Sequence, residues 1–219
     1  MKVVKAPQKL LEAALDLRFL LSRGYTREVA LKFISCRYGL TSKEQRILYR
    51  GVYDDETANR HRQKKININY VKNQKLAIDW YNVYITVNSG LTGDTIILCD
   101  DGFIRDVKGV HGKVTRIDEK NFSLRILMEC LSELSLSEVE IVLDSMVSWS
   151  GELKNLILKV LKDWGIEGKA YTSKKPDVQL MKYDIVATSD SVIIERVDKI
   201  LDLPEIILSK FDVEAITLK

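Results

Sequence analysis

The chain reads as an α/β protein, a parallel-sheet domain preceded by a small all-α N-terminal domain. Three observations predict this. Residues 7–53 keep helical spacing, strand-like runs alternate with helical ones from Leu76 onward, and three of those runs end on an aspartate. Alternating strands and helices argue for a parallel sheet. A strand covered on both faces reads as a continuous apolar run. The expected division is a basic helical domain over residues 1–55, a linker over 56–74 and the sheet domain over 75–219.

In the N-terminal part, Leu10, Leu11, Ala14, Leu15, Leu17 and Leu20 recur at helical spacing, and Gly24 is the C-terminal stop. Thr26 caps a second helix that ends near Tyr38-Gly39. Thr41-Ser-Lys-Glu44 is a capping box and opens a third helix, from Lys43 to about Tyr49. A helix, a glycine turn and a capped helix together look like a helix-turn-helix, with Lys43, Arg46 and Arg50 along the last helix. Three packed helices with a charged face are also common in any small helical domain. Residues 54–74 are polar, carry five Lys/Arg between Arg60 and Lys72, and read as a connection, in part helical.

In the second part, Leu76-Ala-Ile-Asp79 is the first strand-like run, and Gly90 and Gly93 mark a turn. Thr95-Ile-Ile-Leu-Cys99 is strand-like and leads into a loop-rich stretch. Helices are expected at residues 122–134, 151–164 and 176–182. Strands are expected at 139–143, 169–172 and 185–188.

Composition narrows the function. With 219 residues, 46% of them hydrophobic, the chain can bury a real core. No apolar run approaches the ~20 residues of a membrane helix, and the N-terminus has no secretory pattern, so a cytoplasmic protein is expected. Cys36, Cys99 and Cys130 are scattered and His61 and His111 lie far apart, which argues against zinc. The net charge of +3 is uneven. Residues 1–75 hold 17 Lys/Arg and 7 Asp/Glu, a balance of +10, which leaves −7 for the remainder. A basic segment favours a polyanion and an acidic one a metal; drift of surface charge without meaning is the alternative.

The chemistry lies in the strand-end acids. Asp79 closes the first run, with Asn82 three residues on. Asp144 closes Ile141-Val-Leu and is followed by the hydroxyls of Ser145 and Ser148, at a helix start that suits a phosphate. Asp177 lies just inside a proline-started helix, and Asp190 ends Ala187-Thr-Ser-Asp. In an open α/β sheet, ligands bind beyond the carboxyl ends of the strands. Aspartates gathered there repel one another unless a cation is present. An oxygen-only donor set suits Mg²⁺ or Mn²⁺. Any single one of these acids is weak evidence, because an aspartate after a strand is also a common helix cap.

The order Asp-x-x-Asn, strand-end Asp, helix-start Asp and Thr-Ser-Asp resembles the PIN-like nuclease superfamily, a Rossmannoid fold. It is closest to the NYN branch, whose members show Asp-Gly-x-Asn and a terminal Thr-Ser-Asp. The resemblance covers about residues 75–195, and the whole chain resembles an uncharacterised prokaryotic family that joins a helical N-terminal domain to such a domain. It implies that Asp79, Asp144 and Asp190 hold one or two divalent metals. Asp177 would be a further ligand or position water, and Asn82 would orient the first acid. The implied reaction is hydrolysis of RNA phosphodiesters. A metal can activate water and stabilise charge on phosphoryl oxygens, and a pair ~4 Å apart can serve both attacking and leaving oxygens.

The chain departs from the family pattern in two places. Trp80 follows the first acid where a small residue is usual, which narrows the mouth of the site. Residues 94–111 look like a hairpin insertion. Within it Asp100-Asp101-Gly is a turn signal, or Asp101 or Asp106 joins the acid cluster. Arg105, Lys108, His111 and Lys113 are candidates for a phosphate backbone; a lone histidine in a glycine-flanked loop is also simply a loop residue. Tyr81, Trp149 and Trp164 are candidates for base stacking or for the core, Trp164 for the core. The leading expectation is therefore a metal-dependent ribonuclease acting on single-stranded RNA, with oligomerisation left open. Its rival is a non-catalytic nucleic-acid-binding protein with a degenerate nuclease fold and a helix-turn-helix-like partner. A phosphatase with an aspartate nucleophile would want a paired lysine motif that the chain lacks.

Overall fold

A computed structural model describes residues 1–108 and 117–219. The chain opens with β1 (Lys2–Lys5) and four helices, α1 (Gln8–Ser22), α2 (Arg27–Tyr38), α3 (Ser42–Gly51) and α4 (Asp55–Lys64). A 3-10 turn (Ile68–Val71) leads to β2 (Lys75–Asp79) and α5 (Trp80–Leu91), and then to the hairpin β3 (Ile96–Leu98) and β4 (Ile104–Asp106). After the hairpin come α6 (Phe122–Glu133), β5 (Glu138–Asp144), α7 (Ser150–Asp163), β6 (Gly168–Ser173) and α8 (Pro176–Leu180). The chain continues through β7 (Ile185–Ala187), α9 (Ser191–Arg196), β8 (Lys199–Leu201), α10 (Leu203–Leu208) and β9 (Glu214–Thr217). Both expected parts of the α/β architecture are present, the helical region and the parallel sheet.

The helix stops and the capping box act as expected in α1 to α3, but Thr26, at the N-terminal position of α2, makes no side-chain cap bond. Gly39 takes the left-handed conformation at φ 57° and ends α2, as a glycine without Cβ can at little cost. At the start of α3, Thr41 Oγ1 accepts the Glu44 amide at 3.3 Å, and the Glu44 carboxylate accepts the Thr41 amide at 2.7 Å. The polar stretch expected as a connection is instead largely helix. Asp54 caps α4 by accepting the Thr57 amide at 2.8 Å. Polarity masks this helix in the sequence, because its few inward residues, Ala58 and His61, are all that is buried against the rest of the molecule.

The larger sheet has the order β6-β5-β2-β7-β8, with every pair parallel. Leu76, Ala77 and Ile78 of β2 are fully buried at its centre, each large side chain worth about 1.5–3 kcal/mol over exposure. The chain builds outward from β2 through β5 to β6, then crosses to β7 on the other side of β2. That reversal opens a crevice at the carboxyl ends of the strands. Register puts Asp79 opposite Val142 and Ile78 opposite Ala187, so the ends of β5, β2 and β7 lie side by side.

A second sheet, β1-β9-β3-β4, lies outside this frame. Residues 94–111 do contain a hairpin, β3–β4, but β3 pairs with β9 rather than with the larger sheet. The helical region packs on this second sheet, and Ile97, Cys99 and Leu218 share its core with Leu17, Ile34 and Leu48. Gly51 permits the approach, since a Cβ there would lie 2.8 Å from the Leu218 Cδ1 methyl. No helix among the described residues is long and apolar enough to cross a membrane.

Candidate acidic crevice

Asp79 ends β2 and is buried, 6% exposed. Its Oδ2 accepts from the Asn82 amide at 2.7 Å and from the Thr188 hydroxyl, also at 2.7 Å. Asn82 can do this because α5 begins at once after the strand, which places the third residue back over the strand end. Thr188 also accepts the Asp190 amide at 3.0 Å. One hydroxyl thereby ties the first motif to the last. The sequence places Thr188 inside the Thr-Ser-Asp motif but carries no signal of this tie, which spans more than a hundred residues.

Asp144 is half-buried at the end of β5, and its Oδ1 accepts the Met146 amide at 2.8 Å. Asp190 caps α9 by accepting the Val192 amide at 2.7 Å. Asp177 stands in the first turn of α8, after β6, and is exposed at the rim. The four acids thus follow four neighbouring strands, β6, β5, β2 and β7, at one end of the sheet.

Their charges are felt mutually. Burial above all pushes the Asp79 carboxyl up to about 6, and the charges of Asp190 and Asp177 add to this against the two hydrogen bonds. Asp177 is also raised, by what solvent its carboxyl loses and by Asp190 and Asp144. Burial, with the Asp144 charge added, pushes the Tyr81 phenol up to about 12. The donors are all hard oxygens, which suits Mg²⁺ or Mn²⁺ in chemistry. Among the described residues, however, no three acidic, histidine or cysteine side chains are already gathered around one point.

Other expected site residues fall elsewhere. Trp80 does not border the crevice mouth; it is fully buried and stacks on Tyr84 with ring centres 5.3 Å apart. Tyr81 is core too, at 2% exposed, so it offers no face to a base. Trp164 ends α7 at 38% exposure rather than sitting in the core, and Trp149 caps α7 in the left-handed region at φ 68°. Ser148 is exposed before α7, whereas the Ser145 hydroxyl is buried. Lys43 and Arg46 are exposed on α3, and Lys108 is exposed and paired with Asp94. His111 and Lys113 lie outside the described residues.

The hairpin acids do not join the crevice. Asp100 and Asp101 do form the turn, closed by the Gly102 amide on the Cys99 carbonyl at 2.9 Å. Their side chains, however, are buried against cations. Arg105 is 2% exposed and holds both Asp101 oxygens at 2.7 Å. It is therefore not presented to a phosphate backbone. That pair keeps the Asp101 carboxyl far below the usual carboxylate range despite its burial. Arg18 grips Asp100 through two bonds of 2.8 and 3.0 Å, and Arg50 reaches Asp106 at 3.4 Å. Arg50 thus turns inward, away from the exposed face of α3 expected for it. Part of the basic excess of the N-terminal half neutralises acids of the second half.

Comparison with known proteins finds two family matches along the chain. A family described as "Domain of unknown function (DUF5616)" matches residues 68–206, and one described as "Protein of unknown function (DUF434)" matches residues 9–64. The chain is 34% identical over 190 residues to "Uncharacterized protein MJ0935" of Methanocaldococcus jannaschii, covering 86% of this chain and 91% of that protein. No solved structure matches. With most of its sheet domain inside the first match and its helices α1 to α4 within or beside the second, the chain belongs to the DUF5616 family and carries a DUF434 segment ahead of it.

Proposed function

We propose that the crevice is the active site of a divalent-metal-dependent nuclease of the PIN-like kind, with single-stranded RNA as substrate. One observation carries the reading. Asp79, Asp144, Asp177 and Asp190 follow four neighbouring parallel strands at the topological switch, with no lysine or arginine bonded to any of them among the described residues. Acids arranged for stability would be paired, as those of the hairpin are. A bound Mg²⁺ or Mn²⁺ would supply the positive charge that offsets negative charge developing on a phosphoryl oxygen.

The chain's own residues set the rest. Asp79, Asp144 and Asp190 would hold the ion. Asn82 and Thr188 fix the rotamer of Asp79 by bonding the same oxygen, which leaves Oδ1 without a hydrogen bond among the described residues. Asp177, in the exposed first turn of α8, would orient water. Lys43 and Arg46 of α3, Lys108, and Ser148 before α7 would give sequence-independent hold on the phosphate backbone, weakened by salt.

The test is cleavage of single-stranded RNA with Mg²⁺ or Mn²⁺ and with chelator. Cleavage that needs the metal and is lost in Asp79→Asn and Asp190→Asn, with the fold intact by circular dichroism, supports the reading. Metal-independent cleavage, or full activity in both variants, ends it. A second reading, nucleic-acid binding without turnover, is favoured by the lack of any gathered three-ligand group among the described residues. It expects RNA affinity that is indifferent to Mg²⁺.

A further inference from the structure

We infer that the N-terminal helical segment positions Asp190 for the crevice, through a buried chain that runs from His61 by Asp101 and Arg105 to the Ser189 carbonyl. The inference rests on the metal-binding reading of the crevice and names the part of the molecule that supports it.

Asp190 is the cap of α9, a helix of only six residues, Ser191–Arg196. A helix so short has little stability of its own, so its placement must come from what grips it. Two grips are visible. Before the helix, Arg105 Nε donates to the Ser189 carbonyl at 2.7 Å, one residue ahead of Asp190. At the far end, three residues of α4 hold α9. Arg60 and the Nε2 of His61 each reach the Glu195 carboxylate at 2.9 Å, and the Lys64 ammonium donates to the Ile194 carbonyl at 2.8 Å and the Glu195 carbonyl at 2.6 Å.

The two grips are one network. His61 Nδ1 meets Asp101 Oδ2 at 2.9 Å, and Asp101 holds the Arg105 guanidinium through both oxygens. Arg105 holds the Asp101 carboxyl, and Arg60 the Glu195 carboxyl, below the usual carboxylate range. His61, Asp101 and Arg105 are at most 2% exposed, where directional bonds are least diluted by water. Arg105 is fixed by two bonds to Asp101 and directs its third, from Nε, to the backbone beside the acid. Arg60, His61 and Lys64 lie in the DUF434 match, whereas Asp101, Arg105 and Asp190 lie in the DUF5616 match, so the positioning crosses from one segment to the other.

The test uses the full chain and two readouts. Arg105→Lys keeps a positive charge by Asp101 but cannot hold both of its oxygens and the Ser189 carbonyl together. Glu195→Gln, at a half-exposed position, removes the charge that α4 grips and serves if the first variant fails to fold. Mn²⁺ affinity is read by electron paramagnetic resonance, and amide hydrogen exchange by mass spectrometry. The expected result is Mn²⁺ affinity lowered about 10- to 100-fold, the usual cost of losing support behind a ligand. Faster exchange confined to residues 189–196, with β5 and α7 unchanged, should accompany it. Unchanged exchange there overturns the inference, and so does faster exchange with Mn²⁺ affinity intact. If the wild-type chain binds no Mn²⁺, the crevice reading itself falls and this inference with it, a result told apart by the wild-type control.

Discussion

Two groups of aspartates, in the crevice and in the β3–β4 hairpin, sit at strand ends within one chain and meet opposite fates. Asp79 is buried beside other acids and its carboxyl is pushed up to about 6. Asp101 is buried more completely, yet Arg105 and His61 hold its carboxyl far down. Burial is common to both, so it does not separate them. The counterion does. The hairpin acids are neutralised by the protein itself, whereas the crevice acids meet no Lys or Arg within bonding distance among the described residues. Asp-Asp-Gly and Thr-Ser-Asp look equally acidic on paper; their partners, brought from α4, α1 and the hairpin itself, divide structure from candidate function.

The sharpest test of this contrast is to remove a carboxylate on each side. Asp101→Ala strands the Arg105 guanidinium in the interior, and unfolding in urea should show a loss of about 3–5 kcal/mol. A loss under about 1 kcal/mol, the range of an exposed pair, would place Asp101 with the crevice acids instead.

Asp79→Asn should act in the other direction. Because the folded-state value of Asp79 is raised, the native chain binds more protons than the unfolded one between about pH 4 and 6, so its stability falls as pH rises through that window and stays low above it. Asparagine escapes this cost and keeps an oxygen for Asn82 and Thr188. At pH 8 without divalent metal the variant should therefore be about 2–3 kcal/mol more stable than the wild type. Millimolar Mg²⁺ should stabilise only the wild type, narrowing the gap. Equal stability of the two proteins from about pH 4 to 8 would mean that Asp79 carries no such penalty.

The smallest effect is expected at Asp144, whose side chain, among the described residues, makes only a local bond to the Met146 amide at 2.8 Å. Asp144→Asn should change stability by no more than about 0.5 kcal/mol, while lowering Mn²⁺ affinity. A calorimetric scan beside a metal titration separates the two effects, and a variant that loses stability but not metal would reverse the assignment.

Much of the crevice is legible in the amino-acid order. The runs around Ile78, Ile141 and Val186 announce buried parallel strands, and the acids that close them must emerge at one end of a parallel sheet. Asn82 follows from its distance to Asp79. Other features are hidden because they depend on contacts far along the chain. Trp80 abuts the first acid and so suggests a gate, but the first turn of α5 rotates it into the core onto Tyr84. Arg105 suggests a phosphate contact because nothing local marks it as buried. Its partners are Asp101, across a turn, and Ser189, far along the chain. His61 sits in a stretch too polar to signal a docked helix.

By itself the sequence determined the properties that depend on near neighbours: the caps at Thr41 and Gly39, the β/α alternation, and the aspartates that end apolar runs. Only the tertiary structure decided which acids are neutralised in ion pairs and which are not, because pairing depends on which distant cation is folded against each carboxylate. It also decided that β1 and β9, from opposite ends of the chain, close a second sheet beneath the helices. Local propensity acts over a few residues, while charge and burial act over whatever the fold brings together.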